Sequence, residues 1–421
     1  MSKKIKVLWI GNVVLPDFCD VFAIKRTIIG GWLDGFYHVL KDVSFVSLGF
    51  CFPIFDSNRM KDGEAHGCKF YSFKAEFHNS YISDTMIDRF KAIINHFKPD
   101  VIHIWGTEYN HSLAMYRASE QMGMVDHTLV SIQGLVSIYA KHYLVGMKFD
   151  ESGGSNTIEV GIKEGREIFV NRGKAEVELL SEARHIAGRT EWDKACASQL
   201  NQSARYHYLS EILRSCFYDS IGSWRIEKVN EHTIFMSQAH YPIKGLHIVL
   251  EALAIVCDFY PDVQLHIAGG DITAVDSNGK RSWYGEYIDG IVSTLSLQNR
   301  IQFLGYLDEK EMINEYQKAN LFVSASLIEN SSNSICEAML IGTPVISSCV
   351  GGCQDLIKHG ESGFLFDVNA PYMLAHYICK LFNDAEVCKK ISTEETKCIS
   401  KRIDPTEIKS EIINIYENIS V

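Results

Sequence analysis

The sequence predicts an α/β protein of two doubly wound domains, facing each other across a cleft where the carboxyl ends of two parallel sheets meet. Three observations lead there. The chain has 421 residues, more than one ordinary hydrophobic core accommodates. Continuous apolar runs alternate with amphipathic helical segments, the pattern of a parallel sheet covered on both faces. Several of those runs end in glycine, as Ile10 does before Gly11, Ala268 before Gly269-Gly270 and Ser348 shortly before Gly351-Gly352.

Taken in order, Ile5–Ile10 reads as the first strand. Gly30-Gly31-Trp32 opens a helix running to about Leu40, and Phe45–Leu48 is a second strand. Met86–Phe97 is helical; Val101–Trp105 and Leu129–Gln133 are strands, and His185–Thr190 is expected to be the last strand of this half. The second half repeats the rhythm. Strands are expected at Thr233–Ser237, Gln264–Ala268, Ile301–Leu304, Leu321–Ser324 and Val345–Ser348. Helices are expected at Gly245–Phe259, Glu309–Lys318 and Ser331–Ile341, the last stopped by Gly342 and Pro344. From about Ala370 the chain reads as helical to its end. A short polar stretch near Asp219–Val229 separates the halves. The expected domains are therefore residues 1–222, residues 223–395, and a helical segment 396–421 that can pack back on the first domain.

Composition excludes several classes. A hydrophobic share of 46% and a charged share of 22% are those of a soluble globular protein. With a net charge of −11 and no basic run interleaved with aromatics, nucleic acid is not an expected partner. The basic start followed by Val7–Gly11 is too short an apolar run for a signal peptide, and no stretch is long enough to span a bilayer. The 12 cysteines form no Cys-x-x-Cys pair, which points to free thiols in a reducing cytosol.

The segment that carries chemistry is Glu329-Asn330-Ser331-Ser332-Asn333-Ser334-Ile335-Cys336-Glu337, between a strand and a helix. Glu329 follows a strand end and can project into the cleft. Ser331, Ser332, Asn333 and Ser334 open a helix whose backbone N–H groups and dipole suit a phosphate. Glu337 lies in the early turns, where a carboxylate can meet hydroxyls bound beside that phosphate.

These residues resemble the retaining GT-B glycosyltransferases of family 4, typified by bacterial sucrose-synthase-like and mannosyltransferase enzymes, whose signature is two glutamates separated by seven residues. Agreement extends to Tyr241-Pro242-Ile243-Lys244-Gly245, Leu265-His266-Ile267-Ala268-Gly269-Gly270, Phe303-Leu304-Gly305-Tyr306, Gly342-Thr343-Pro344-Val345-Ile346, Gly351-Gly352 and Ser362-Gly363-Phe364. It is strong from about Thr233 to Phe366, and reappears earlier as Gly30-Gly31 and Asp100-Val101-Ile102-His103.

The resemblance implies a GT-B fold and a nucleotide-sugar donor. It implies that Glu337 holds the ribose hydroxyls, Glu329 contacts the transferred sugar, and Lys244 pairs with the diphosphate. Gly245, Gln238 and the backbone of Ser331–Ser334 would share donor binding, with Gly30 and Gly31 approaching the diphosphate from the other domain. It requires neither a metal nor another cofactor, and no Asp-x-Asp stands at a strand end. The chain departs from the pattern in two places. Where relatives carry an Arg about five residues before the Lys, this chain has Ser237-Gln238-Ala239-His240, in which His240 can donate or carry charge. Where relatives often have a His before a strand-end Gly, it has Gln133.

Each motif has a plainer reading beside the functional one. Ser334-x-x-Glu337 also fits a helix capping box, Lys244 a solvated lysine, and Gly30-Gly31 a tight turn. His103 reads as a packed core histidine, and Arg189 as reaching the cleft or pairing with a carboxylate such as Glu191. Trp32, Gln133, Tyr109 and His111 are candidates for the acceptor side, where a saccharide or lipid-linked acceptor would bind. Lys141–Lys148 is amphiphilic enough for a peripheral membrane contact, although a packed segment also fits. Three functions stand against sugar transfer: a nucleotide-sugar epimerase on the same fold, a catalytically idle nucleotide-sugar-binding scaffold, and a dinucleotide oxidoreductase. The last lacks a Gly-x-Gly-x-x-Gly after the first strand.

Overall fold

The computed structural model describes residues 4–26, 30–76, 81–149 and 157–420. It divides into two compact units. The first comprises Met1–Ala140, Ile168–Arg214 and Ile403–Val421; the second comprises Lys141–Glu167 and Ser215–Arg402.

The first unit holds an eight-stranded sheet. Its strands are β1 (Ile5–Ile10), β2 (Val46–Ile54), β3 (Gly63–Ala65), β4 (Cys68–Lys74), β5 (Val101–Trp105), β6 (Thr128–Ser131), β7 (His185–Gly188) and β8 (Arg205–Tyr208). Their spatial order is β3-β4-β2-β1-β5-β6-β7-β8. Every pair is parallel except β3 with β4. The apolar runs that predicted β1 and β5 are central and buried, as a sheet covered on both faces demands. β7 is not the last strand, as the sequence suggested, because β8 pairs with it at the edge of the sheet. The run Arg-Tyr-His-Tyr carries no apolar signal, since an edge strand buries little of itself.

The second unit is a six-stranded, wholly parallel sheet. Its strands are β9 (Thr233–Met236), β10 (Gln264–Ile267), β11 (Ile301–Phe303), β12 (Leu321–Ser324), β13 (Val345–Ser348) and β14 (Phe364–Phe366). They lie in the order β11-β10-β9-β12-β13-β14. Helices Leu246–Cys257, Glu309–Lys318 and Asn333–Ile341 connect them. Gly342, at φ 89°, ends the last of these.

The chain enters the second unit at Ser215 rather than near residue 223. Gly222 and Trp224 explain this, since their N–H groups donate to Leu340 and Ile341 carbonyls at 2.8 and 2.9 Å, and the buried Trp224 indole donates to the Ala319 carbonyl. At the other end, helix Ala385–Arg402 stays with the second unit and helix Pro405–Ile419 joins the first. Tyr416 of that last helix is fully buried. Its hydroxyl accepts from the Trp9 indole at 2.9 Å and meets His103 Nδ1 at 2.7 Å, and the other imidazole nitrogen meets Ser131 Oγ. Burial holds His103 well below its ordinary pKa, so it is a neutral core histidine, as its mid-strand position suggested. The segment Lys141–Lys148 is packed into the second unit. Tyr143 is buried, the Val145 carbonyl is 2.9 Å from His247 Nε2, and Lys148 pairs with Glu251 at 2.7 Å.

Glu395, on helix Ala385–Arg402, is fully buried and neither carboxylate oxygen makes a hydrogen bond of normal geometry. Burial pushes its pKa well above the usual carboxylate range, only partly offset by the Val345 backbone. A carboxyl whose folded pKa is raised favours folding at acid pH and loses that contribution as pH climbs toward its folded value. Glu395→Gln, neutral at every pH, should therefore raise the melting temperature at pH 8 by an amount worth about 1–3 kcal/mol. At pH 5 it should leave melting nearly unchanged. Equal effects at both pH values, read by thermal denaturation, would show that Glu395 is not buried as an acid.

Candidate active site

The site is assembled in the second unit from the segments that leave the carboxyl ends of β9 and β12. After β9 the chain passes Gln238 and makes a single turn, Pro242–Lys244, closed by Gly245 at φ 70°. An added Cβ at Gly245 would collide with the Ala325 carbonyl oxygen. Only glycine both adopts this backbone and permits the approach, and together they aim Lys244 at the end of β12. Lys244 Nζ lies 3.0 Å from Glu329 Oε2, with side chains 18% and 11% exposed. The Ser326 hydroxyl donates to the same oxygen at 3.2 Å. Burial lowers the Lys244 pKa, but the adjacent Glu329 carboxylate outweighs it and the net shift is upward, so the ammonium keeps its charge at neutral pH.

Glu329 is held from behind. Its carbonyl accepts from Gly352 N at 3.0 Å, and a Cβ on Gly351, φ 49°, would strike that same carbonyl. The Gly-Gly after β13 thus serves as a backbone clamp on the loop carrying Glu329. Asn330, Ser331 and Ser332 are buried, and helix Asn333–Ile341 begins with Ser332 as N-cap. No side-chain hydrogen bond caps that end, and helix geometry leaves its first-turn N–H groups without partners inside the helix. The expected helix start at Ser331 moves two residues on. The capping-box reading of Ser334 and Glu337 does not hold either, because Ser334 lies inside the helix. Instead Glu337 Oε2 accepts from the Tyr316 hydroxyl at 3.0 Å.

Gln238, Lys244, Ser324, Ser326, Ser332 and Ser334 line one small pocket at the carboxyl ends of β9 and β12. Among the described residues Lys244 is the one cation lining it. His240 does not add a second. Desolvation and the nearby Lys244 ammonium lower its pKa, and since its side chain is exposed, Lys244 is the firmer cause. Among the described residues no group of three or more His, Cys, Asp or Glu side chains could hold a metal ion.

The remaining candidates lie in the first unit and form two groups. Gly30, φ 82°, is the N-cap of helix Gly31–Leu40. A Cβ there would meet Val13, and one on Gly31 would meet the Arg214 guanidinium, so both glycines answer close packing rather than a turn alone. Next to them Arg189, 5% exposed, donates to Gln133 Oε1 and sits 3.7 Å from Glu211. Its guanidinium is also 5.9 Å from the Trp32 ring. Arg189 thus pairs with Glu211 rather than Glu191, and it joins two residues that the sequence proposed separately. In the second group Tyr109 stacks on His111 at 5.6 Å, with the Arg172 guanidinium 4.1 Å above the tyrosine ring. His111 is fully buried, 2.9 Å from Asn12 Oδ1, and burial holds its pKa down at about 3. The Asn12 amide in turn donates to Glu108 at 3.0 Å. His111 is therefore a neutral framework residue, not a group open to an acceptor. Arg172, Asn12 and Glu108 had no motif to announce them, because their partners lie 64 to 99 residues away.

Residues 224–397 match the family described as Glycosyl transferases group 1. The match falls within the second unit and covers its whole sheet. Among curated relatives, the D-inositol 3-phosphate glycosyltransferase of Corynebacterium urealyticum is 28% identical over 144 residues, covering 34% of this chain and 32% of that enzyme. The aligned region thus spans about a third of that relative's length. Among solved structures, sucrose-phosphate synthase from Thermosynechococcus elongatus superposes with a TM-score of 0.71 at 18% identity, covering 99% of both chains. HepE from Anabaena, solved with UDP and with UDP-glucose, superposes at 0.66 and 17% identity over 98% of this chain. The likeness establishes the fold as GT-B, built from two Rossmann-like parallel-sheet domains, as the sequence predicted.

Proposed function

We propose that the protein is a glycosyltransferase that moves a sugar from a nucleotide-sugar donor to a saccharide or lipid-linked acceptor with retention of anomeric configuration. The observation that carries this reading is that Lys244, paired with Glu329, and Ser332 and Ser334 at an uncapped helix N-terminus line one pocket at two strand ends. In this reading the diphosphate lies on the N–H groups of Asn333 and Ser334, and Lys244 neutralises the charge it gains. Glu337 accepts hydrogen bonds from the vicinal ribose hydroxyls. Glu329 contacts hydroxyls of the transferred sugar and fixes its orientation. The acceptor oxygen bonds the anomeric carbon as the bond from that carbon to the diphosphate breaks. The released nucleoside diphosphate keeps the bonding electron pair, and the acceptor's proton leaves with it.

Charge neutralisation falls to Lys244 and backbone dipoles, so we read the reaction as independent of a metal cofactor. Gln238, exposed at the pocket rim where relatives have an arginine, adds a hydrogen-bond donor without charge. We further propose work in cell-surface polysaccharide or glycolipid assembly, in the cytoplasm or at the inner face of the membrane. Among the described residues no helix is long and apolar enough to cross a membrane.

The deciding experiment is a thermal-shift screen against UDP-, GDP-, ADP- and dTDP-sugars, with and without magnesium, followed by product analysis with the donor that binds. One donor should raise the melting temperature in both conditions. Glu337→Ala should reduce that shift, corresponding to roughly tenfold weaker binding or more. Glu329→Ala should keep the shift and lose transfer. Turnover of donor to an isomer without an acceptor would identify an epimerase, and binding with no turnover a scaffold. Unchanged transfer by Glu329→Ala would sink the assignment.

A further inference from the structure

Resting on the donor reading above, we infer that Tyr316 is the positioning residue that orients Glu337 toward the ribose of the nucleotide. Tyr316 stands on helix Glu309–Lys318, outside the motif that contains Glu337, and its side chain is fully buried. Its hydroxyl donates to Glu337 Oε2 at 3.0 Å, with the Ser334 carbonyl at 3.2 Å as a second acceptor. One phenol therefore touches both the opening turn of helix Asn333–Ile341 and the carboxylate three residues on.

The phenol has no freedom to swing. Phe235 and Phe322 meet its ring edge-on at centroid distances of 5.1 and 5.4 Å, and its carbonyl accepts from the Thr343 hydroxyl at 2.7 Å. Burial and the Glu337 charge hold its pKa well above the ordinary phenol value, so it remains a donor. A glutamate has several rotatable bonds, and an unanchored carboxylate must be ordered when a ligand binds, at a cost in entropy. The rigid tyrosine orders it beforehand. A carboxylate has about four acceptor sites, and the bond from Tyr316 fixes the direction in which they face. Glu329 is set by Lys244 and Ser326 instead, so the two glutamates are held by different parts of the fold.

The test is calorimetric titration of UDP, GDP or ADP, whichever the wild type binds, and of its dideoxyribose counterpart. The proteins are wild type, Tyr316→Phe, Glu337→Gln and the double variant. Tyr316→Phe should weaken binding of the ribonucleotide about 5- to 30-fold. It should change binding of the dideoxy compound less than twofold, because there is no diol left to orient. In steady state the KM for donor should rise while kcat holds within about threefold. In the Glu337→Gln background the tyrosine substitution should have little further effect. Equal losses for both nucleotides would mean that Tyr316 is only structural, and would overturn the inference while leaving the donor reading intact. Unchanged ribonucleotide affinity would overturn it as well. If Tyr316→Phe does not fold, Glu337→Asp, which withdraws the carboxylate from the phenol while keeping its charge, must lose ribonucleotide affinity selectively. Full affinity in that variant overturns the inference. A wild type that binds no nucleotide overturns the donor reading together with it.

Discussion

Lys244→Met should lower kcat by about two to three orders of magnitude, the usual effect of removing one preorganised group that faces developing charge. The effect should sit at the large end because, among the described residues, no second cation lines the pocket. The same substitution also leaves Glu329 largely buried beside a methionine. Removing one partner of a buried ion pair strands the other's charge, and Glu329 is only 11% exposed at its side chain. Melting should therefore fall as well, by up to about 3 kcal/mol in stability. Stability and catalysis can be separated by the double variant Lys244→Met, Glu329→Gln. It carries no unpaired charge, so its melting temperature should return toward that of wild type while transfer stays lost. Recovery of transfer in the double variant would mean that Lys244 serves only to neutralise Glu329. The raised pKa of Lys244 carries a sign that can be checked. A lysine whose folded pKa lies above its unfolded value stabilises the fold below about pH 10.4 and loses that contribution above it. No part of the activity profile between pH 6 and 9 should then be due to Lys244.

Gly245→Ala should destabilise the second unit and displace the turn that carries Lys244. The residue sits at φ 70°, where an L side chain costs about 1–2 kcal/mol. The new Cβ would also collide with the Ala325 carbonyl, a backbone atom that cannot rotate away. The sum should reach about 3 kcal/mol or more, which in a unit of this size lowers melting by roughly 6–12 °C. Any protein that survives should bind donor poorly, because the turn that aims Lys244 has moved. Gly290→Ala is the matching control. It lies inside helix Trp283–Thr294 with nothing within 4 Å of an added Cβ. Helix propensity alone should then stabilise the protein by up to about 1 kcal/mol. Thermal denaturation of the two variants side by side decides whether close approach, rather than glycine as such, is what position 245 requires.

These two glycines show what could be read in advance and what could not. Position 245 stood next to a lysine in a recognisable motif, yet its necessity comes from Ala325, eighty residues on. The strands β1, β5, β9, β12 and β13 were legible within a residue because a central strand buried on both faces must be a continuous apolar run. β4 and β8 were not. Cys68–Lys74 mixes charges with aromatics, and Arg205–Tyr208 is largely polar, because both lie toward the sheet's margins. Helix Asn110–Gln121 was also missed. It is amphipathic only weakly, with Asn110, His111 and Ser112 buried in its first turn, the first two against partners 29 and 99 residues away.

By itself, the sequence determined the class of fold and the run of its central strands, and its resemblance to a glycosyltransferase family singled out Lys244, Glu329 and Glu337 as candidates for the site. The fold follows from local rules, apolar period and glycine at strand ends, whereas the three candidates rest on the resemblance. Tertiary structure decided which groups face one another. It paired Lys244 with Glu329 across 85 residues and Tyr316 with Glu337 across 21. It joined Arg189 to Gln133 and Trp32, turned His111 into framework, and returned helix Pro405–Ile419 to the first unit. The physical reason is the same throughout. A hydrogen bond or ion pair between residues far apart in the chain depends on the topology that brings their elements together, and no spacing along the chain encodes it.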